Sequence, residues 1–99
     1  MASDQLLLTA LKNKKVITFN YEGHARECET HIIGYSNGKQ QVLCFQLSGG
    51  SSRKGIPQWR RFVISNITDL KITENEYDGQ RPVPHPHSLG WDKVSAVVK

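Results

Sequence analysis

The sequence has no hydrophobic run long enough to cross a bilayer. A membrane-spanning helix needs about 18 consecutive apolar residues, whereas the apolar run near the start covers only residues 6–8. Asp4 precedes these leucines where a secretory signal would carry basic residues, and no cleavage site follows. We therefore expect a cytoplasmic protein without a membrane partner.

Cysteine is equally scarce. Cys28 and Cys44 are too far apart for a C-x-x-C motif, and two cysteines are too few for a disulfide-based scaffold. The sequence thus predicts two reduced, buried thiols that behave as small apolar side chains.

No arrangement of residues typical of catalysis is present. Ser51 and Ser52 have no histidine and aspartate at a spacing that indicates a nucleophile with its base, and the acids form no recognisable catalytic pair. No Gly-Lys-Ser/Thr follows the glycines of residues 48–57 at P-loop spacing. His85 and His87 flank a proline without a nearby cysteine or carboxylate, which argues against a metal site. We predict a protein that is not an enzyme and uses no metal or other cofactor.

The composition that remains is that of a small globular domain. Of the 99 residues, 37% are hydrophobic and 22% charged, which is too apolar for intrinsic disorder. This length predicts one domain over residues 1–99. Thirteen Lys and Arg against nine Asp and Glu give a formal net charge of +4. Such a charge fits an anionic partner such as nucleic acid, and it fits a soluble protein with no such partner almost as well.

Hydrophobic periodicity predicts one helix followed by strands. Ser3 and Asp4 can cap a helix over 3–14, whose apolar residues recur at helical spacing. The period then changes to two, which is typical of strands. The five predicted strands occupy residues 16–21, 26–35, the stretch after Gly38, 58–64 and 67–73.

Two segments interrupt or follow these strands. Residues 48–57 are rich in Gly and Ser and predict a loop. Prolines after residue 81 predict an irregular tail over 74–99, in which Val94, Val97 and Val98 could form a short helix or edge strand. One helix followed by hairpin-linked strands over 15–73 predicts a mainly β fold: a small, strongly bent, five-stranded antiparallel sheet or partly closed barrel.

The turn at Asn37 and Gly38 predicts the register of the central hairpin, because both residues tolerate the positive φ of a type I′ turn. A two-residue turn there places Cys28 opposite Leu47, Thr30 opposite Phe45 and Ile32 opposite Leu43 on an apolar face. The other, wetter face then pairs Glu29 with Gln46 and His31 with Cys44, so that the two cysteines lie on opposite faces.

A four-residue loop in the first hairpin places Tyr21 opposite Arg26 and Phe19 opposite Cys28. Both pairs then lie on the apolar face of the central hairpin. This face is predicted to end in a tyrosine and an arginine.

In this order, several segments resemble the WYL domain family, whose members are small Sm-like β-barrels in bacterial transcriptional regulators and defence-associated proteins. The resembling segments are residues 16–21 followed by Arg26, 31–34, 38–46, 48–51, 59–62 and Ile67. The family's namesake tripeptide corresponds to residues 41–43, of which the leucine is kept, and Asn66 stands where a basic residue is usual. The resemblance implies an Sm-like barrel with a nucleic acid or a nucleotide-like ligand on its basic and aromatic positions.

Tyr21, Arg26 and Arg60 form the sharpest predicted site. Two arginines beside a tyrosine can bind an anion in bidentate fashion and offer a stacking surface, which suits a phosphate, a nucleotide or a single strand. The alternative is that Arg26 or Arg60 pairs with nearby glutamates and only completes the rim of the sheet. Such glutamates are Glu22, Glu27 and Glu29.

Three further residues complete the predicted binding set. Trp59 and Arg61 alternate onto the other face of their strand and could contact RNA or a partner, since Trp and Arg are frequent at interaction hot spots. A tryptophan packed under the long loop is the alternative. Arg53, beside Lys54 in the loop 48–57, could close over an anion.

These features predict a non-enzymatic, regulatory module that binds or senses an anionic ligand, either single-stranded nucleic acid or a nucleotide. It would act alone or with a separate DNA-binding protein, since the chain has no helix-turn-helix. The alternative is a protein-interaction or oligomerisation domain whose strand edges pair with another subunit.

Overall fold

The computed structural model describes residues 2–49, 58–83 and 90–99 and has a mainly β fold with one α-helix. The helix α1 covers Ala2–Asn13. The strands are β1 (Lys15–Tyr21), β2 (His24–Ser36), β3 (Lys39–Gly49), β4 (Gln58–Val63), β5 (Thr68–Glu76) and β6 (Lys93–Val97). A short 3-10 helix, Ile64–Asn66, links β4 to β5. Among the described helices none is long and apolar enough to span a membrane.

All strand pairs of the sheet are antiparallel. Five strands follow the order β4-β3-β2-β1-β5, and β6 adds to β2, which makes six strands where the sequence predicts five. The predicted start of the irregular tail at residue 74 is wrong, because β5 continues to Glu76, whereas β6 is the edge strand that the sequence left open as an alternative to a short helix. Within the described ranges no pairing joins β4 to β5, and the sheet is open.

The helix confirms the sequence prediction to within one residue at each end. Leu7, Ala10 and Leu11 share its buried face, as their spacing predicts. Lys14 has a positive φ of 54°, and its N–H donates to the Leu11 carbonyl at 3.3 Å. This left-handed residue ends the helix.

Both hairpins close with two-residue turns in which φ is positive at both positions. Asn37 and Gly38 have φ values of 54° and 75°, as predicted, and Glu22 and Gly23 have 52° and 78°. The predicted four-residue loop of the first hairpin is therefore wrong, and Arg26 lies opposite Phe19 rather than Tyr21. The register changes by two residues, so the predicted face of each side chain is kept.

The central hairpin departs from the predicted register because it contains bulges. Ile32 lies opposite Leu43 as predicted, but a register shift between Thr30 and Ile32 places Cys28 opposite Gln46 instead of Leu47. A shift of one residue exchanges the faces of a strand. Cys44 consequently lies diagonal to Cys28 on the inner face, and the predicted separation of the cysteines is wrong.

The core lies between α1 and the inner face of the sheet. Phe19 and Phe62 meet edge to face at its centre, with ring centroids 5.0 Å apart. Both cysteines belong to this core and are free thiols, as the sequence predicts. Burial raises the pKa of the Cys44 thiol, and the neighbouring Cys28 raises it further.

We expect the native protein to react with a thiol reagent orders of magnitude more slowly than the unfolded chain, because both sulfurs are reached only after opening of the core. Titration in denaturant without reductant should count two thiols. A count of zero, with a mass lower by a pair of hydrogens, would instead show a disulfide between Cys28 and Cys44 and contradict this expectation.

Candidate functional site

The structure brings Tyr21, Arg26 and Arg60 together around one ring, that of Phe62. The guanidinium carbon of Arg26 lies 5.4 Å from the Phe62 centroid and 5.6 Å from that of Tyr21. The guanidinium carbon of Arg60 lies 5.7 Å from the Phe62 centroid. The sequence thus grouped these three residues correctly on the inner face of the sheet.

Arg26 is an internal side chain and not the rim residue that the sequence predicts. It is only 3% exposed. Its Nε and Nη2 donate to the Tyr21 carbonyl at 3.4 and 3.2 Å, and its Nη1 donates to Gln46 Oε1 at 3.3 Å. Glu22 lies 3.9 Å from Nη2. Burial lowers the pKa of Arg26, and the charge of Arg60 lowers it further. These contacts support the structural alternative for Arg26.

The Tyr21 side chain also makes contacts within the fold. Its hydroxyl accepts a hydrogen bond from the Val63 N–H at 3.1 Å, and its ring meets Phe62 edge to face at 4.8 Å. Arg60 is partly buried and has no carboxylate partner among the described residues. Of the predicted inner site, Arg60 alone keeps a guanidinium that a ligand could reach.

The outer face of β3 and β4 carries the other two described site residues, Trp59 and Arg61. Trp59 lies opposite Phe45, with ring centroids 5.2 Å apart. The guanidinium carbon of Arg61 lies 4.0 Å from the ring centroid of Trp91, which is cation–π stacking. Trp91 in turn packs on Gly34, where an added Cβ would lie 2.9 Å from its ring. The glycine therefore allows the tryptophan to lie against the sheet.

A buried polar group lies beneath this face. Glu29 is 3% exposed and accepts hydrogen bonds from Arg81 Nε and Nη2 at 2.6 and 2.8 Å. Arg81 stacks on Phe45, 4.4 Å from the ring centroid. His31 Nε2 lies 3.1 Å from Glu29 Oε1, and its ring lies edge-on to Trp59 at 4.8 Å. The predicted wet face around Glu29 and His31 is therefore wrong, because the bulge pairs Glu29 with Phe45 and aromatic rings cover it.

Electrostatics favour a charged Glu29 and a neutral His31. Burial alone would raise the pKa of Glu29, but hydrogen bonds from Arg81 and His31 hold it below 4.5. Burial lowers the pKa of His31 below 6.5 against the opposing effect of Glu29. When neutral His31 donates from Nε2, its buried Nδ1 is an acceptor for which the described residues provide no donor. The Glu29 charge is therefore balanced by Arg81.

Sequence reasoning missed Phe45, Arg81 and Trp91 as parts of the site. Phe45 was predicted on the apolar inner face, and only the bulge moves it outward. The other two lie in the tail that was predicted to be irregular. Only the residue types of Arg81 and Trp91 could have indicated them, since arginine and tryptophan are enriched at binding surfaces.

Some candidates lie outside the described residues or have no support among them. Arg53, His85 and His87 belong to the ranges that are not described. In the part of the chain that the structure covers, no group of three or more His, Cys, Asp or Glu side chains could hold a metal ion. The described residues of the outer face are aromatic rings and guanidinium groups in contact with one another.

Comparison with protein families, with curated proteins and with solved structures finds no match for this chain.

Proposed function

We propose that this protein is a non-enzymatic binding module for an anionic ligand with an aromatic base, either single-stranded nucleic acid or a nucleotide. The binding surface is the arginine–aromatic face, defined by Phe45, Trp59, Arg61, Arg81 and Trp91. The observation that carries the proposal is that two arginines stack on aromatic rings on the same side of the sheet, where Trp59 also packs against Phe45.

In this face the aromatic rings provide stacking surfaces and the arginines provide positive charge. Partly exposed aromatic rings allow bases to stack without regard to sequence. Because the charge of Arg81 is neutralised by Glu29, we assign the phosphate contact to Arg61. Such a combination of rings and cations suits a single strand better than a duplex.

We further propose that the chain is a WYL-like, cytoplasmic regulatory module, bacterial in origin, with a strongly bent, Sm-like sheet. The path of β2 supports the bend. This 13-residue strand pairs with β1 through residues 24–28 and with β6 through residues 32–35. A register shift between Thr30 and Ile32 separates the two halves, and bulges bend a strand. As a module without a DNA-binding helix pair, it would work alone or through a separate DNA-binding protein.

Binding of fluorescein-labelled single-stranded DNA and RNA, followed by anisotropy at two salt concentrations, tests the proposal. We expect Trp59→Ala to weaken binding roughly tenfold, because one base loses its stacking partner. Arg61→Ala should weaken binding and reduce the slope of log K against log salt by about one, as expected for one lost phosphate contact. Competition with cyclic nucleotides distinguishes a strand from a nucleotide ligand.

Arg60→Ala is the matched control, since Arg60 neighbours Arg61 in sequence but lies on the inner face. It should leave the affinity within about twofold. Equal weakening by Arg60→Ala and Arg61→Ala would indicate diffuse electrostatic attraction and contradict a defined site. The proposal would be overturned if none of these probes, DNA, RNA or cyclic nucleotide, bound at low salt.

A further inference from the structure

The strand β6 carries exposed apolar side chains. Among the described residues it pairs with β2 on one side only. Val94 and Val97 are 47% and 44% exposed, more than any other large apolar side chain described. An edge strand of this kind presents free backbone N–H and C=O groups beside apolar side chains, and a further strand can pair with it.

A groove runs between β6 and α1, on the opposite side of the sheet from the arginine–aromatic face. Its wider part is a cavity of about 500 Å³ at the C-terminal end of α1. A narrower part of about 170 Å³ shares Ala96 and borders the N-terminal half of the helix. We call the two parts together the α1–β6 groove.

The wider part of the α1–β6 groove is apolar at its floor and basic at its rim. Its apolar lining residues are Leu11, Ala96 and Val97, and its other lining residues are Lys12, Lys14 and Lys99. Among the described residues no carboxylate side chain lines this part, whereas Asp4 lines the narrower part. A surface of this composition attracts a ligand that carries both apolar groups and negative charge.

We infer that the α1–β6 groove docks an extended acidic segment of a partner protein, which adds a strand to β6. The free edge supplies backbone hydrogen bonds, and the apolar floor accepts alternate side chains of the segment. The three lysines select carboxylates among the remaining side chains.

A second copy of this chain fits the groove poorly. The chain carries a net charge of +4, and two copies paired through β6 would bring the same lysines together, including Lys93 at the start of the strand. Like charges across an interface disfavour pairing, and lysines on an edge strand commonly prevent self-association. The charge complementarity therefore favours an acidic partner.

A labelled peptide that alternates glutamate and valine tests the inference by fluorescence anisotropy with the full chain. We expect saturable binding that the double variant Lys12→Glu/Lys99→Glu weakens by roughly tenfold or more, since two ion pairs become repulsive. The matched control Lys39→Glu/Lys71→Glu makes the same change in net charge at exposed lysines that do not line the groove, and it should retain the affinity. The same peptide with alternate backbone amides N-methylated should fail to bind, because it cannot pair as a strand.

Four results would overturn the inference. They are no binding of the glutamate–valine peptide, equal weakening by both double variants, unchanged binding of the N-methylated peptide, and a dimer through β6 in sedimentation experiments without peptide. Trp59→Ala should leave peptide affinity unchanged, because Trp59 lies on the other face. Failure of nucleic-acid binding and failure of peptide binding are thus separate outcomes.

Discussion

Replacing Arg26 with alanine is expected to lower the free energy of unfolding by about 3 kcal/mol or more. The substitution removes the guanidinium hydrogen bonds to the Tyr21 carbonyl and to the buried Gln46 amide oxygen. It also removes the side chain that packs on Phe62 and Tyr21. Urea unfolding monitored by circular dichroism measures the loss.

Arg60→Ala is the control for this experiment, since it removes the same charge from the same ring. Arg60 is partly exposed, and its described contact is with the face of Phe62, so the expected loss is about 1 kcal/mol or less. Equal losses for the two variants would mean that the hydrogen bonds of Arg26 contribute nothing beyond the charge. Arg26→Met should fall between wild type and Arg26→Ala, because it keeps the packing but not the donors.

This result decides how the inner cluster is interpreted. Three of the five guanidinium N–H groups of Arg26 donate within the fold and the residue is 3% exposed, so a phosphate could reach it only if the surrounding core opened. We therefore expect an Arg26→Ala variant that loses ligand affinity to do so through loss of structure, which the unfolding curve would reveal.

Replacing Arg81 with alanine is expected to lower the free energy of unfolding at neutral pH by about 2–3 kcal/mol. The change leaves the buried Glu29 carboxylate with His31 as its remaining hydrogen-bond partner. Breaking a fully buried ion pair costs about 3–5 kcal/mol, but the Arg81 side chain is 45% exposed. Water can therefore reach part of the site, which places the expected loss below that range.

The shifted pKa values of Glu29 and His31 predict how the free energy of unfolding changes with pH. Glu29 has a lowered pKa in the folded state, so its contribution is present above its ordinary value of 4.5 and is lost as the pH falls through the lowered folded value. His31 also has a lowered pKa in the folded state, so the unfolded chain takes up that proton first. Stability should accordingly fall as the pH decreases below about 6.5.

Unfolding curves at several pH values check both effects. In Arg81→Ala the acid loss attributed to Glu29 should become smaller or disappear, because the hydrogen bonds and charge that hold its folded pKa below 4.5 are gone while burial still raises it. His31→Gln should remove the decline that begins near 6.5, whereas His24→Gln, at an exposed position in β2, should keep it. A wild-type stability that is constant from neutral pH to pH 5 would contradict the assignment for His31.

Local patterns in the sequence were sufficient to predict the helix and most of the strands. The helix and the first five strands follow from periodicity, and the turn at Asn37 and Gly38 follows from the backbone freedom of those two residues. The grouping of Tyr21, Arg26 and Arg60 on one face followed from alternation alone. Alternation survives a register change of two residues, which is why the wrong loop length in the first hairpin did not alter it.

The depth of a side chain could not be predicted in this way. Alternation assigns a face but not the distance from the rim, and Arg26 is internal because Phe62 and Gln46 of other strands enclose it. The arginine–aromatic face was predicted only in part for a similar reason. Arg81 and Trp91 reach it from a segment whose sequence has no regular period.

The sequence by itself determined the mainly β class, the helix, the tight turn at Asn37 and Gly38, and the opposite orientation of Arg60 and Arg61. These depend on interactions between residues close in the chain. Only the tertiary structure decided that a bulge places Cys44 beside Cys28 and turns Phe45 outward, that β6 joins β2, and that Glu29 is buried with Arg81. Bulges and edge pairings depend on packing between segments distant in sequence, where a shift of one residue exchanges inside and outside.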